Sequence, residues 1–248
     1  MAKKEIDKVI AQWAKVGVFF GGSVARKTPD LERLLLNTAQ CVCGSARLFY
    51  HCVSWLSQYG NFVARHRLKH LTQTGLPVEH QPALAALLSL AVKHGASREL
   101  LIAADVCQKV DAPRPLFDVQ QRSKTLANIA KQQASDEALH WNLWVTDQAP
   151  KLDAIRPAHW IIERNTDYLA RIIRKGDLRC SILQVLEHDT PNRTVESEIS
   201  LAQLCSANRI AVRHALDDLE LEGFIERIKT PGTRNIQIQL TAPATALG

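Results

Sequence analysis

No apolar run in the 248 residues is long enough to form a membrane-spanning helix. No apolar leader opens the chain either: Met1-Ala-Lys-Lys-Glu5 passes straight into an amphipathic segment. The expectation is a cytoplasmic protein with no membrane partner. The six cysteines, Cys41, Cys43, Cys52, Cys107, Cys180 and Cys205, are scattered, and most sit inside apolar helical patterns as small buried residues, which fits a reducing compartment. Cys41 and Cys43 with His51 and Cys52 come nearest to a metal-ligand set. Residues two apart on a helix point to different sides, so no metal is expected there. No Ser-His-Asp, Cys-His or HExxH arrangement can be assembled from the nine histidines. Catalytic residues and cofactors are therefore not expected, and the chain is read as a non-enzyme. Strand-like alternation is missing before residue 190, and no repeat recurs at a fixed period.

The first two-thirds read as helices joined by short breaks. The apolar spacing predicts helices over residues 5–16, 29–43, 45–59, 62–72, 81–94, 97–110, 117–133, 136–146 and 157–175. Gly, Pro or Thr punctuates several of the joints, as at Thr28-Pro29, Gly60-Asn61 and Asp111-Ala-Pro113. Leu34, Leu35 and Leu36 with Ala83, Leu84, Leu87, Leu88 and Leu90 are the densest core material. Trp141 and Trp144 are expected on one helix face. An all-helical domain over residues 1–156 follows, serving dimerisation, sensing or partner docking, with a connecting helix over 157–176.

The last third carries a different grammar. Leu201, Ala202, Leu204 and Cys205 give a short helix, Ser206-Ala-Asn208 a turn, and residues 208–222 a longer helix. Ile210, Val212, Ala215, Leu216, Leu219 and Leu221 form its expected buried stripe. Gly223 ends the helix. Phe224, Ile225 and Ile228 face Ile236, Ile238 and Leu240 across a Pro-Gly turn, as the two arms of a hairpin. Residues 178–186 supply a preceding helix, and residues 194–199 a short extra strand. The fold class is therefore mainly α: an all-helical domain followed by a C-terminal winged helix-turn-helix over residues 177–242, with a small β-hairpin wing.

The run from Leu201 to Arg227, Leu-Ala-x4-Ala-Asn-Arg-x-Ala-Val-Arg-x-Ala-Leu-x2-Leu-Glu-x-Glu-Gly-x-Ile-x-Arg, resembles the winged helix of GntR-like bacterial transcription regulators. The resemblance covers residues 177–240, under a third of the chain, and the module is C-terminal here where that family has it N-terminal. It implies that Asn208, Arg209 and Arg213 contact DNA, and that Lys229 and Arg234 are wing contacts. From the pattern itself, His214 joins the base-reading set, Ser206 touches phosphate and Thr233 helps to anchor the wing. Asp217, Asp218, Glu220 and Glu222 crowd the far end of the helix, which should point away from phosphate. The expected partner is double-stranded DNA, bound by a homodimer because one such module reads few base pairs. The expected function is a sequence-specific regulator, a repressor.

Charge adds a second theme. Net charge is +6, yet residues 1–131 hold 18 Lys+Arg against 9 Asp+Glu, while residues 171–248 are balanced at 10 and 10. Arg65, Arg67 and Lys69 lie in a basic helix, a solvated face that offers further phosphate contacts. Two alternatives stand beside the regulator. One is a DNA-binding or scaffold subunit of a mobile-element or phage-defence complex, docking a protein through the helical domain. The other rests on the run from Val16 to Arg26, which resembles the strand and Gly-Ser turn of minimal nucleotidyltransferases. There Gly22 and Ser23 would hold triphosphate, with Asp30 and Glu32 as the nearest acidic pair.

Overall fold

A computed structural model describes residues 3–229 and 236–241. The described chain is mainly helical, and it divides into two compact units. The first comprises Met1–Gly60 and Leu71–Arg164, and the second Asn61–His70 and Asn165–Gly248.

The first unit is built on α1 (Lys3–Lys15), α2 (Leu31–Cys41) and α3 (Ala46–Tyr59), with α4 (Arg65–Gly75) crossing the division between His70 and Leu71. Then come α5 (Gln81–Lys93), α6 (Leu101–Ala104), α7 (Asp118–Gln121), α8 (Lys124–Gln132), α9 (Asp136–Leu139) and α10 (Ala158–Arg164). Helix α5 is the axis: residues from Gln81 to Leu88, then Leu90 and Ala91, are buried almost without interruption. That is what a helix apolar on all sides demands. Trp13 and Trp55 meet edge to face at 5.3 Å. Each satisfies its ring N–H inside the core, Trp13 donating to Thr38 Oγ1 at 2.8 Å and Trp55 to the Val16 carbonyl at 2.9 Å.

Three expectations need correction in this unit. The helix expected over 97–110 stops at Ala104, and that over 117–133 is cut by Ser123, whose hydroxyl caps α8 by accepting from Leu126 N at 3.4 Å. The helix expected over 136–146 ends at Leu139. Asn142 then takes a left-handed φ of 57°, and Leu143–Trp144 is a strand. This strand, β2, pairs in parallel with β1 (Arg114–Pro115), so the domain is not purely helical. Trp141 and Trp144 consequently share no helix face: Trp141 is buried and donates to Ser89 Oγ, while Lys131 lies over Trp144.

The expected connecting helix is also broken. Asn165, buried and non-helical, separates α10 from α11 (Leu169–Arg174), and the unit boundary falls there. The second unit continues with α12 (Leu178–His188), β3 (Thr194–Val195), α13 (Glu198–Leu204), α14 (Arg209–Leu221), β4 (Ile225–Lys229) and β5 (Ile236–Leu240). The strands form one antiparallel sheet in the order β3-β5-β4. Ile182, Leu183, Leu186, Leu201, Val212, Leu216, Leu219, Phe224 and Ile238 close its core. Ile210 and Leu221, expected in the buried stripe, are 65% and 90% exposed. They flank the stripe at the two ends of α14, where no described element covers them.

Residues 61–70 are integral to this second unit. Arg171, buried, donates to the Phe62 carbonyl at 3.0 Å and to Gln184 Oε1. Gly176 adopts φ +66°, and a Cβ there would lie 2.1 Å from the Val63 carbonyl oxygen. Only glycine fits so close an approach.

Candidate nucleic-acid interface

The turn between α13 and α14 shows why the sequence folds as it does. Cys205 closes α13, Ser206 takes a left-handed φ of 44°, and Asn208 caps α14 by accepting from Ile210 N at 2.7 Å. Asn208 is exposed, and its side-chain carbonyl oxygen serves the cap. Ser206 Oγ lies 3.4 Å from His70 Nδ1, on the segment that belongs to this same unit.

Arg209, Arg213 and His214 all project from the exposed side of the N-terminal half of α14. The two arginines are organised by a residue the sequence reading missed, Glu198 at the start of α13. Arg213 donates to Glu198 Oε2 from Nη2 and Nε at 3.0 and 3.2 Å, and Arg209 Nε lies 3.6 Å from the same oxygen. Arg227 of β4 approaches the other oxygen at 3.9 Å. Glu198 is nearly buried, whereas the Arg213 side chain is 52% exposed. One carboxylate thus fixes three guanidinium groups around a groove of about 340 Å³, rimmed also by Ile199 and Ile236. Ile199, Ile210 and Ile236 are all exposed.

The acidic half of α14 is neutralised from within the unit. Arg227 donates to Asp217 and, at 2.8 Å, to Glu220. Arg179 reaches Asp218 at 3.4 Å, and Arg174, stacked 4.8 Å over Phe224, pairs with Glu222. The hydrogen bond from Arg227 holds the Asp217 carboxyl below its ordinary range. The acidic cluster is therefore a set of structural partners.

Arg65, Arg67 and Lys69 do not form one solvated basic face. Arg67 is fully buried and holds Asp189 with two N–H groups, at 2.6 and 2.9 Å, so it is withdrawn from any phosphate. Arg65 donates to the Lys175 carbonyl at 3.1 Å, and Lys69 is half-buried. The signal was available: on a helix Arg67 shares its side with Ala64 and Leu71, both buried. Lys229 is exposed at the end of β4, and Thr233 and Arg234 lie outside the described residues.

In the first unit, Asp30 is a helix cap that accepts from Arg33 N at 3.3 Å, and Glu32 is fully buried. That leaves neither carboxylate open beside an exposed Gly22-Ser23 turn. Among the described residues, no group of three or more His, Cys, Asp or Glu side chains is placed to hold a metal ion. No described helix is long and apolar enough to cross a membrane. Comparison with known protein families, curated proteins and solved structures finds no match for this chain.

Proposed function

We propose that residues 177–241 act as a winged helix-turn-helix that reads duplex DNA, and that the protein is a sequence-specific transcriptional regulator, a repressor, working as a homodimer. The observation that carries this reading is the arrangement of Arg209 and Arg213, held side by side by Glu198 on the open N-terminal half of α14. A recognition helix presents that half to the major groove, where guanidinium groups bind guanine O6 and N7. Asn208 and His214 extend the same face, Ser206 sits at the turn, and Lys229 begins the wing.

Salt-titrated selection from a randomised duplex pool tests the reading. Enrichment of a palindromic motif supports a dimeric regulator. Tight binding with no motif favours backbone contact alone. Absence of binding at low salt removes the DNA reading. A second reading rests on the exposed Ile199, Ile210 and Ile236 beside the arginines, a mixed apolar and basic surface that also suits a protein partner in a larger nucleic-acid complex.

A further inference from the structure

The first unit carries an exposed stack of alternating rings and guanidinium groups that neither its core nor the proposed duplex interface uses. The Arg156 guanidinium lies 5.6 Å from the centre of the Phe19 ring and 5.7 Å from that of Trp160. Arg164 covers Trp160 at 4.2 Å. The order is Phe19, Arg156, Trp160, Arg164.

The stack is built into the backbone. Phe19 N donates to the Ala154 carbonyl, and Arg156 N donates to the Gly17 carbonyl, both at 2.8 Å. Val18 and Ile155 form an antiparallel bridge between them. Tyr59 Oη donates to the Arg156 carbonyl at 3.0 Å. Gly17 is required for this approach: it adopts φ +97°, and a Cβ there would meet Ile161 at 2.8 Å.

A stack serving only to fasten two segments would be expected to bury its rings, because burial stabilises an aromatic side chain more than an exposed cation–π contact does. Trp160 is half-buried, but Phe19 is 57% exposed and its neighbour Val24 55%. Arg156 and Arg164 are exposed as well, and the carboxylate contact of Arg164, with Glu163, is a loose 3.8 Å pair in open solvent. Rings and guanidinium planes both stack on nucleobases, and arginines also pair with phosphate. A duplex hides its base faces, so only an unpaired strand offers them. The adjoining hollow is about 150 Å³, too small to enclose a free nucleotide, since ligand pockets run to ~300–1,000 Å³.

We infer that Phe19, Arg156, Trp160 and Arg164 form a stacking platform for single-stranded nucleic acid. This site lies in the first unit, whereas α14 belongs to the second. The bases stack on Phe19 and on the outer face of the Arg164–Trp160 pair, while the arginines neutralise the flanking phosphates.

Fluorescence anisotropy of the full chain with labelled oligo(dT), an abasic strand of equal length and a duplex tests it. The expected result is binding of oligo(dT) in clear preference to the abasic strand. Phe19→Ala and Arg164→Lys should each weaken oligo(dT) binding about fivefold or more. Phe19→Trp should retain binding, and duplex affinity should stay unchanged in all three. Because Phe19 is exposed, Phe19→Ala should melt with the parent protein. Equal affinity for the abasic strand, unchanged oligo(dT) binding in both weakening variants, or no oligo(dT) binding by the parent overturns the proposal. Loss of duplex binding alone would instead count against the α14 reading.

Discussion

Arg67 and Arg213 each hold a carboxylate with two N–H groups, Asp189 in one case and Glu198 in the other. The first pair is sealed, with Arg67 fully buried, and the second leaves Arg213 half in water. A buried pair is tied to the fold, because removing one partner strands a charge away from solvent. Losing an arginine that is half in water costs less, because Arg209 and Arg227 still face the same carboxylate, and such a guanidinium can turn to another anion. By the same chemistry one arginine clamps the second unit together, and the other remains available to a ligand.

The largest effect should follow from breaking the sealed pair. Arg67→Ala is expected to destabilise the second unit by about 3–5 kcal/mol, read as an earlier denaturant transition in that unit. Gly176→Ala should come next. It combines ~1–3 kcal/mol of left-handed strain with a Cβ contact at 2.1 Å to the Val63 carbonyl, and it should loosen the same segment in hydrogen exchange. Arg213→Ala reverses the pattern. Its melting should shift by the equivalent of less than about 1 kcal/mol, while specific duplex binding weakens by about 1–3 kcal/mol. Equal stability losses for Arg67→Ala and Arg213→Ala would erase the distinction drawn here.

Glu198→Gln sharpens the exposed side of the comparison. It keeps hydrogen-bond acceptors for the arginines and removes one negative charge from the groove. Affinity for any duplex should rise severalfold at low salt, on the order of 1 kcal/mol, and the gain should shrink as salt is added. The smallest effect is a pH dependence at His70. Burial is the main cause pulling its pKa below the ordinary value near 6.5, partly opposed by Asp189. The unfolded chain therefore binds the proton more readily, so the stability held above about pH 6.5 is lost as pH falls through the lower folded value. Replacing His70 with Gln should flatten that acid-side slope in melting experiments.

Much of the architecture was legible where periodicity is long. Helices α1, α3, α5, α12 and α14 lie within a few residues of expectation, because each has an apolar stripe or, in α5, apolar residues all round, and a polar or glycine stop. Strands β4 and β5 follow from alternation and a turn, but the strand expected over 194–199 is cut to Thr194–Val195, because Ser197 caps α13 by accepting from Ser200 N at 3.1 Å. The segment from residue 97 to 146 was less legible. Its elements are two to nine residues long, and single residues such as Ser123 and Asn142 decide where they stop. The shared exposure of Asn208, Arg209, Arg213 and His214 at one end of α14 was legible from helical spacing. Glu198 was not, since it lies on another helix and meets Arg213 across 15 positions of sequence. Arg67 was misread because its neighbours in sequence are basic, while in space it is buried against Asp189.

The clamp between Arg67 and Asp189 also imposes an order on biosynthesis. The two residues are 122 positions apart, so at roughly 5–20 residues per second the arginine leaves the ribosome several seconds to tens of seconds before its carboxylate is made. During that interval residues 61–70 have no second unit to join. A nascent chain halted before Asp189 would carry an unsealed cationic segment, a target for chaperones and proteases. The proposed interface on α14 is synthesised later still, after Asp189.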